Sequence, residues 1–172
     1  DVGGYKINCD LSKLGTILRY TSPQLLPLIE EARPKLSYLG LTSGSKQRER
    51  RPSEAELQSL LLWLGEHEGQ LSRDFVEFAG LTAMRRGEIA GLRWADLNES
   101  DRMVLVRDRK DPRQKIGNDQ FVPLLAGSFE IVLRQNREGE LIFPIRGKQI
   151  TKVFHDACNA LSIKDLHFHD LR

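Results

Sequence analysis

Arg85, His169 and Arg172 have side chains of the types needed to handle a phosphodiester. His169 and Arg172 stand three apart in His169-Asp170-Leu171-Arg172, which on a helix turns both to one side. Alone, such a pair describes many solvated helices. Transfer of a phosphodiester to an alcohol without a metal gathers negative charge on the non-bridging oxygens. Arginine suits that charge, because it offers a planar fork of donors and does not titrate. Arg85 falls at a predicted helix start, where peptide dipoles also favour an anion. The leaving oxygen needs a proton, and a lysine beside two arginines has its pKa pushed down by like charge. That makes it a candidate general acid. Lys110 and Lys115 both occupy the tip of a predicted hairpin, and spacing alone does not choose between them.

Other chemistries fit less well. His155 and Cys158, with His167 and His169 beyond, are four side chains that can bind zinc, but their spacing matches no standard finger. Cys158 on an apolar helix face reads more simply as a small buried hydrophobe. A metal-dependent nuclease needs clustered carboxylates. Glu88 and Asp96 are eight apart and have no acidic partner nearby in sequence. No metal and no other cofactor is expected.

The elements that must position these groups can be traced from the apolar pattern. Ser53 and Glu56 form a capping box, and Leu57, Leu60, Leu61 and Leu64 continue it as an amphipathic helix. Phe75, Phe78 and Ala79 mark a second helix, and a short third runs from near Arg85 to Leu92. Met103–Val106 and Gln120–Leu124 read as paired strands, joined through Asp111-Pro112 and Gly117-Asn118 turn chemistry. Phe129–Leu133 is a further helix, Ile150 to Leu161 presents one more apolar face, and His167–Arg172 is expected to begin a last helix. Upstream, Leu11, Leu14, Ile17 and Leu18 follow helical spacing, and another apolar region covers 25–41. Residues 43–52 are polar without apolar period and read as a linker. Residues 1–42 are too few to bury an independent core and are expected to be the end of a helical domain.

The 172 residues carry a net charge of only +2, and hydrophobic residues make up 40%. The basic residues are grouped: Lys46, Arg48, Arg50 and Arg51 in the linker, and Arg107, Arg109, Lys110, Arg113 and Lys115 in the hairpin. Grouped cations in a near-neutral chain suggest placed phosphate contacts. The apolar runs are too short for a transmembrane helix. Two cysteines, Cys9 and Cys158, make no disulfide framework, which fits a reducing compartment.

Thr82, Arg85, Glu88, Leu92, Trp94 and Asp96, followed by Val122-Pro123-Leu124 and His169-x-x-Arg172, resemble the catalytic half of a tyrosine recombinase of the phage integrase family. The resemblance covers residues 48–172 well and 1–42 loosely. Ala83 departs from it, standing where the family usually has glycine. The resemblance implies an α+β, mostly helical fold with a small antiparallel β-sheet. Residues 1–42 would be the end of a core-binding domain, 43–52 a linker and 53–172 a catalytic domain. Arg85, Lys110, His169 and Arg172 would be catalytic, Lys110 matching the family's lysine better than Lys115. Lys46, Arg48, Arg50, Arg51, Arg109, Arg113 and Lys115 would contact DNA, with Glu88, Trp94 and Asp96 as structural support. Site-specific recombination through a 3′-phosphotyrosyl intermediate is implied, in a tetramer on double-stranded DNA. So is a cytoplasmic, nucleoid-associated protein of bacterial or phage origin, with no membrane partner. The family's nucleophilic tyrosine follows the His-x-x-Arg, whereas Tyr5, Tyr20 and Tyr38 all precede Arg85. The polypeptide is therefore expected to be a fragment, inactive in cleavage. The alternative is an inactive integrase relative that only binds DNA.

Overall fold

The computed structural model describes residues 3–44, 48–109 and 117–172. The chain divides into two compact units, Asp1–Arg48 and Glu49–Arg172. The boundary falls inside the stretch expected to be a linker.

In the first unit, α1 (Gly4–Thr21) leads through a 3-10 turn (Pro23–Leu25) into α2 (Leu26–Tyr38). Pro23 and Pro27 stand at the starts of their elements, where a missing N–H costs nothing. The chain after α2 returns to the start of α1. Asn8 Nδ2 donates to the Ser43 carbonyl at 3.2 Å, and a Cβ on Gly4 would lie 2.7 Å from the Ser43 nitrogen. Neither helix has a buried residue, and Tyr20 and Tyr38 are 82% and 91% exposed.

The second unit holds the core. The capping box starts α3 (Glu54–His67): Glu56 N–H donates to Ser53 Oγ at 3.2 Å, and Ser53 N–H to Glu56 Oε2 at 2.8 Å. Leu60 and Leu64 from its apolar stripe are fully buried against α4 (Gln70–Thr82), which contributes Phe75, Val76, Phe78 and Ala79. The leucine, valine and phenylalanine side chains among these stabilise by about 1.5–3 kcal/mol each when buried. Asp74, on the same helix, is also buried, and it is fully engaged. It accepts from Arg134 Nε and Nη2 at 2.9 and 2.5 Å, Gln70 Nε2 at 2.6 Å and Gln135 Nε2 at 2.6 Å. This network ties α4 to α6 (Ser128–Leu133).

The sheet has three antiparallel strands in sequence order: β1 (Leu97–Asn98), β2 (Met103–Val106) and β3 (Gln120–Pro123). Val104 and Val106 point inward, as period two requires. On α7 (Gly147–Ala160), Ile150, Val153, Phe154, Ala157 and Cys158 are buried. Phe168 packs 5.6 Å from Phe154 and 5.9 Å from Phe75, ring centre to ring centre, and so anchors the end of the chain to the core.

The expected α+β, mostly helical fold with a small antiparallel sheet is therefore present. Two details differ from expectation. β1 is an additional strand, and Phe168–Leu171 is a 3-10 turn where the start of an α-helix was expected. The turn is built around buried Asp170, which accepts from the His167 N–H at 2.8 Å.

Candidate active site

Arg85 is presented by a sharp change of direction after α4. Ala83 ends that helix in the left-handed region, at φ 51°, and Met84 then buries its side chain. The turn is braced by Thr82 Oγ1, which donates to the Phe78 carbonyl at 2.7 Å. Arg85 itself is extended (φ −70°, ψ 142°) and precedes α5 (Arg86–Ala90). Glu88 reaches back to it: its carboxylate accepts from Arg85 N–H at 2.9 Å and from Arg85 Nη1 at 2.8 Å. The Glu88 side chain is 8% exposed, against 36% for Arg85. Burial pushes the Glu88 carboxyl up, but the Arg85 backbone N–H, the Arg85 guanidinium and Arg109 outweigh it, so its pKa is lowered. Glu88 therefore stays ionised and fixes Arg85 from behind. α5 has only five residues, too few for aligned peptide dipoles to accumulate, so the dipole contribution expected at Arg85 is small.

The same carboxylate meets the base of the hairpin. Arg109 Nε lies 3.7 Å from Glu88 Oε1, and Arg109 Nη1 donates to Gln120 Oε1 at 3.0 Å. The Arg109 backbone is held to Asn118 by N–H to carbonyl at 2.8 Å, and Asn118 Nδ2 donates to the Arg109 carbonyl at 2.7 Å. Next to this, Asp96 is buried and takes a two-pronged contact from Arg107 at 2.9 and 2.6 Å. Those hydrogen bonds hold its carboxyl below the usual range. Trp94 is half-buried against the core, with the Arg137 guanidinium 4.6 Å above its ring. Lys110, Arg113 and Lys115 lie outside the described residues, as does Lys46.

From the other side of the site comes the 3-10 turn. Leu166, Phe168 and Asp170 point inward while His167 and His169 point out. Arg85, Arg86, Gly87, Thr151, His167, Phe168 and His169 line one open depression of about 340 Å³. The structure thus brings Arg85 and His169 together. Arg172 is exposed one turn on, outside the lining residues. Thr151 and His167 were not anticipated as neighbours of Arg85. On the expected helix His167, two before His169, would have faced away from it, and nothing in the sequence connects position 151 to position 86.

Before α3, Arg51 is exposed, while Arg50 is half-buried and grips Glu56 through two contacts, 3.1 and 2.5 Å. Arg50 holds the Glu56 carboxyl down at about 2. Arg48 ends the first unit and is exposed. Among the described residues no group of three or more His, Cys, Asp or Glu side chains converges as metal ligands would.

The second unit is thus a mostly helical domain with a three-stranded sheet that presents two arginines and two histidines to one depression. The chain belongs to the phage integrase family, which residues 51–172 match. It is 32% identical over 130 residues to a shufflon-specific DNA recombinase of Escherichia coli, covering 74% of this chain and 32% of that protein. The chain thus spans about a third of the length of this curated relative. Its fold is similar to that of a lambda integrase dimer bound to a COC′ core site, with a TM-score of 0.62 at 18% identity, over 99% of this chain and 71% of the other. A lambda integrase tetramer bound to a Holliday junction gives 0.59 at 17% identity, over 99% and 57%. No described helix is long and apolar enough to cross a membrane.

Proposed function

We propose that this chain carries the phosphate-activating part of a site-specific DNA recombinase. Arg85, His169 and Arg172 hold the non-bridging oxygens of the scissile phosphate. Lys110 delivers the proton to the leaving 5′ oxygen. A tyrosine hydroxyl attacks phosphorus, forming a 3′-phosphotyrosyl bond and releasing a 5′-hydroxyl. Attack by the 5′-hydroxyl of a partner strand then reverses the step. The energy of the phosphodiester is conserved throughout, so no nucleotide is consumed. Residues 1–42 serve as part of a core-binding domain, 43–52 as its linker and 53–172 as the catalytic domain. The substrate is double-stranded DNA, and the working assembly is an oligomer on it, in line with the DNA-bound dimer and tetramer of lambda integrase.

The observation that carries this reading is the meeting of Arg85 and His169 on one depression, with Arg85 clamped by a largely buried Glu88. The choice of Lys110 is supported by its place in sequence. It follows Arg109 directly, and Arg109 shares Glu88 with Arg85. Glu88, Trp94 and Asp96 act as supports, and Lys46, Arg48, Arg50, Arg51, Arg109, Arg113 and Lys115 contact the DNA backbone.

A second reading concerns the 172-residue polypeptide by itself. Its tyrosines, at 5, 20 and 38, all belong to the first unit. That polypeptide binds DNA and makes no covalent adduct. Both readings are tested on it directly. Affinity for duplex DNA, measured across salt concentrations, falls for Arg85→Ala and its log–log salt slope becomes shallower by about 0.9. Incubation with a nicked suicide duplex leaves no protein–DNA band resistant to detergent. An unchanged salt slope in Arg85→Ala removes the phosphate clamp, and a detergent-stable band overturns the second reading.

A further inference from the structure

Arg86 stands beside the proposed clamp, yet the roles proposed above leave it unused. Its side chain crosses to α7, where Nη1 donates to Thr151 Oγ1, a residue 65 positions away. The Thr151 hydroxyl spends its own hydrogen on the Gly147 carbonyl at 3.1 Å, which turns an oxygen lone pair toward Arg86. Gly147 also makes room: a Cβ there would lie 3.1 Å from Arg86 Nε and 3.4 Å from its Cδ. Three features of α7 therefore fix one guanidinium.

The guanidinium of Arg85 beside it is answered by a carboxylate, and among the described residues that of Arg86 is not. Arg50, Arg85, Arg93, Arg107, Arg109 and Arg134 each face a carboxylate. Among the described residues Arg86 forms no salt bridge, and its anchor is a neutral hydroxyl. Every ionisable side chain lining the depression is basic: Arg85, Arg86, His167 and His169. The nearby carboxylates are turned to the rear, Glu88 behind Arg85 and Asp170 behind His167. Two adjacent arginines aimed at one carboxylate-free space repel each other until an anion arrives. One of them has its charge partly answered by Glu88, whereas the other waits unanswered.

We propose that Arg86 is a positioning residue that grips a second phosphate of the DNA strand, adjacent to the one held by Arg85. Each strand carries one charge per about 3.4 Å of rise, so a strand that puts one phosphate in the depression brings its next phosphate close behind. Arg86 then sets the register of the strand over the clamp and takes no part in proton transfer. This inference rests on the proposed phosphate clamp at Arg85.

The test uses the 172-residue protein and a short random-sequence DNA duplex, with affinity measured by fluorescence anisotropy across salt concentrations. Arg86→Ala weakens binding several-fold and lowers the log–log salt slope by about 0.9. Arg85→Ala does the same, and the double variant loses about 1.8, because two phosphates are released. Arg86→Lys keeps the slope, since it keeps the charge. Arg86→Gln retains a donor for Thr151 without the charge, and stands in for Arg86→Ala if that variant fails to fold. A slope unchanged in Arg86→Ala or Arg86→Gln while Arg85→Ala loses its share overturns the inference and leaves the clamp standing. A double variant that loses no more than Arg85→Ala alone means both arginines share one phosphate, which also overturns it. An unchanged slope in Arg85→Ala removes the clamp itself.

Discussion

Replacing Glu88 by glutamine keeps its shape and removes the charge that three donors share. The amide oxygen still accepts the Arg85 N–H, but as a neutral acceptor, which costs about 1 kcal/mol. The Arg85 guanidinium then faces an NH2 group where it had an oxygen. A hydrogen bond to a charged group stabilises by about 1.5–3 kcal/mol, and the 36% exposure of Arg85 cuts that roughly in half, because water replaces the lost partner. Losing the more distant Arg109 attraction adds about 0.5 kcal/mol. Relief from burying a carboxylate returns about 1 kcal/mol. The net loss is about 1.5 kcal/mol at pH 7. Urea unfolding of both proteins, followed by circular dichroism, reads it as a lower midpoint with the same slope. Glu88 has a folded pKa below its ordinary value, so its contribution is fully present above about 4.3 and fades as pH falls through the lower folded value. The gap between wild type and Glu88→Gln therefore closes in acid, even though other carboxylates also protonate there. Equal stability at pH 7, or a gap that ignores pH, refutes the account of Glu88 as a charged brace.

Two further outcomes follow, one beside the site and one in the core. Ala83 adopts φ 51°, so Ala83→Gly relieves about 1–2 kcal/mol of left-handed strain and returns up to about 1 kcal/mol through a more flexible unfolded chain; thermal unfolding should show a small gain. Burial pushes the Cys158 thiol up to about 11, so in the native protein a thiol reagent at neutral pH labels Cys9 alone, and both cysteines only after denaturation, read by mass spectrometry.

Much of this fold is written in local patterns. Ser53 and Glu56 announce α3 because each satisfies a backbone donor the helix start leaves over. Met103–Val106 alternates inward and outward as its valines demand, and its bounds match the expected strand. What was not legible depends on partners far along the chain. Leu97–Asn98 is too short to show a period and becomes a strand only because Val104 and Met103 lie opposite. His167–Arg172 has the spacing of an α-helix, but the Asp170 carboxylate closes a tighter turn and Phe168 is drawn into the aromatic core. At the site, the sequence grouped Arg85 and His169 only through the family resemblance; the depression they share arises from packing. Thr151 offered no sign, since its hydroxyl matters only where α7 happens to pass Arg86.

The alternation from Leu166 to Asp170 makes this stretch intolerant of changes in length. Leu166, Phe168 and Asp170 are buried, while His167 and His169 are exposed. Losing or gaining one residue inside this stretch, with Leu166 still holding its place in the core, would exchange the two sets downstream of the change. Imidazoles would enter an aromatic core that offers them no partner, and a phenyl ring would stand where the histidines meet the depression. Natural variation here should therefore run through substitution, or through paired changes of two residues, while the loops elsewhere remain free to grow and shrink one residue at a time.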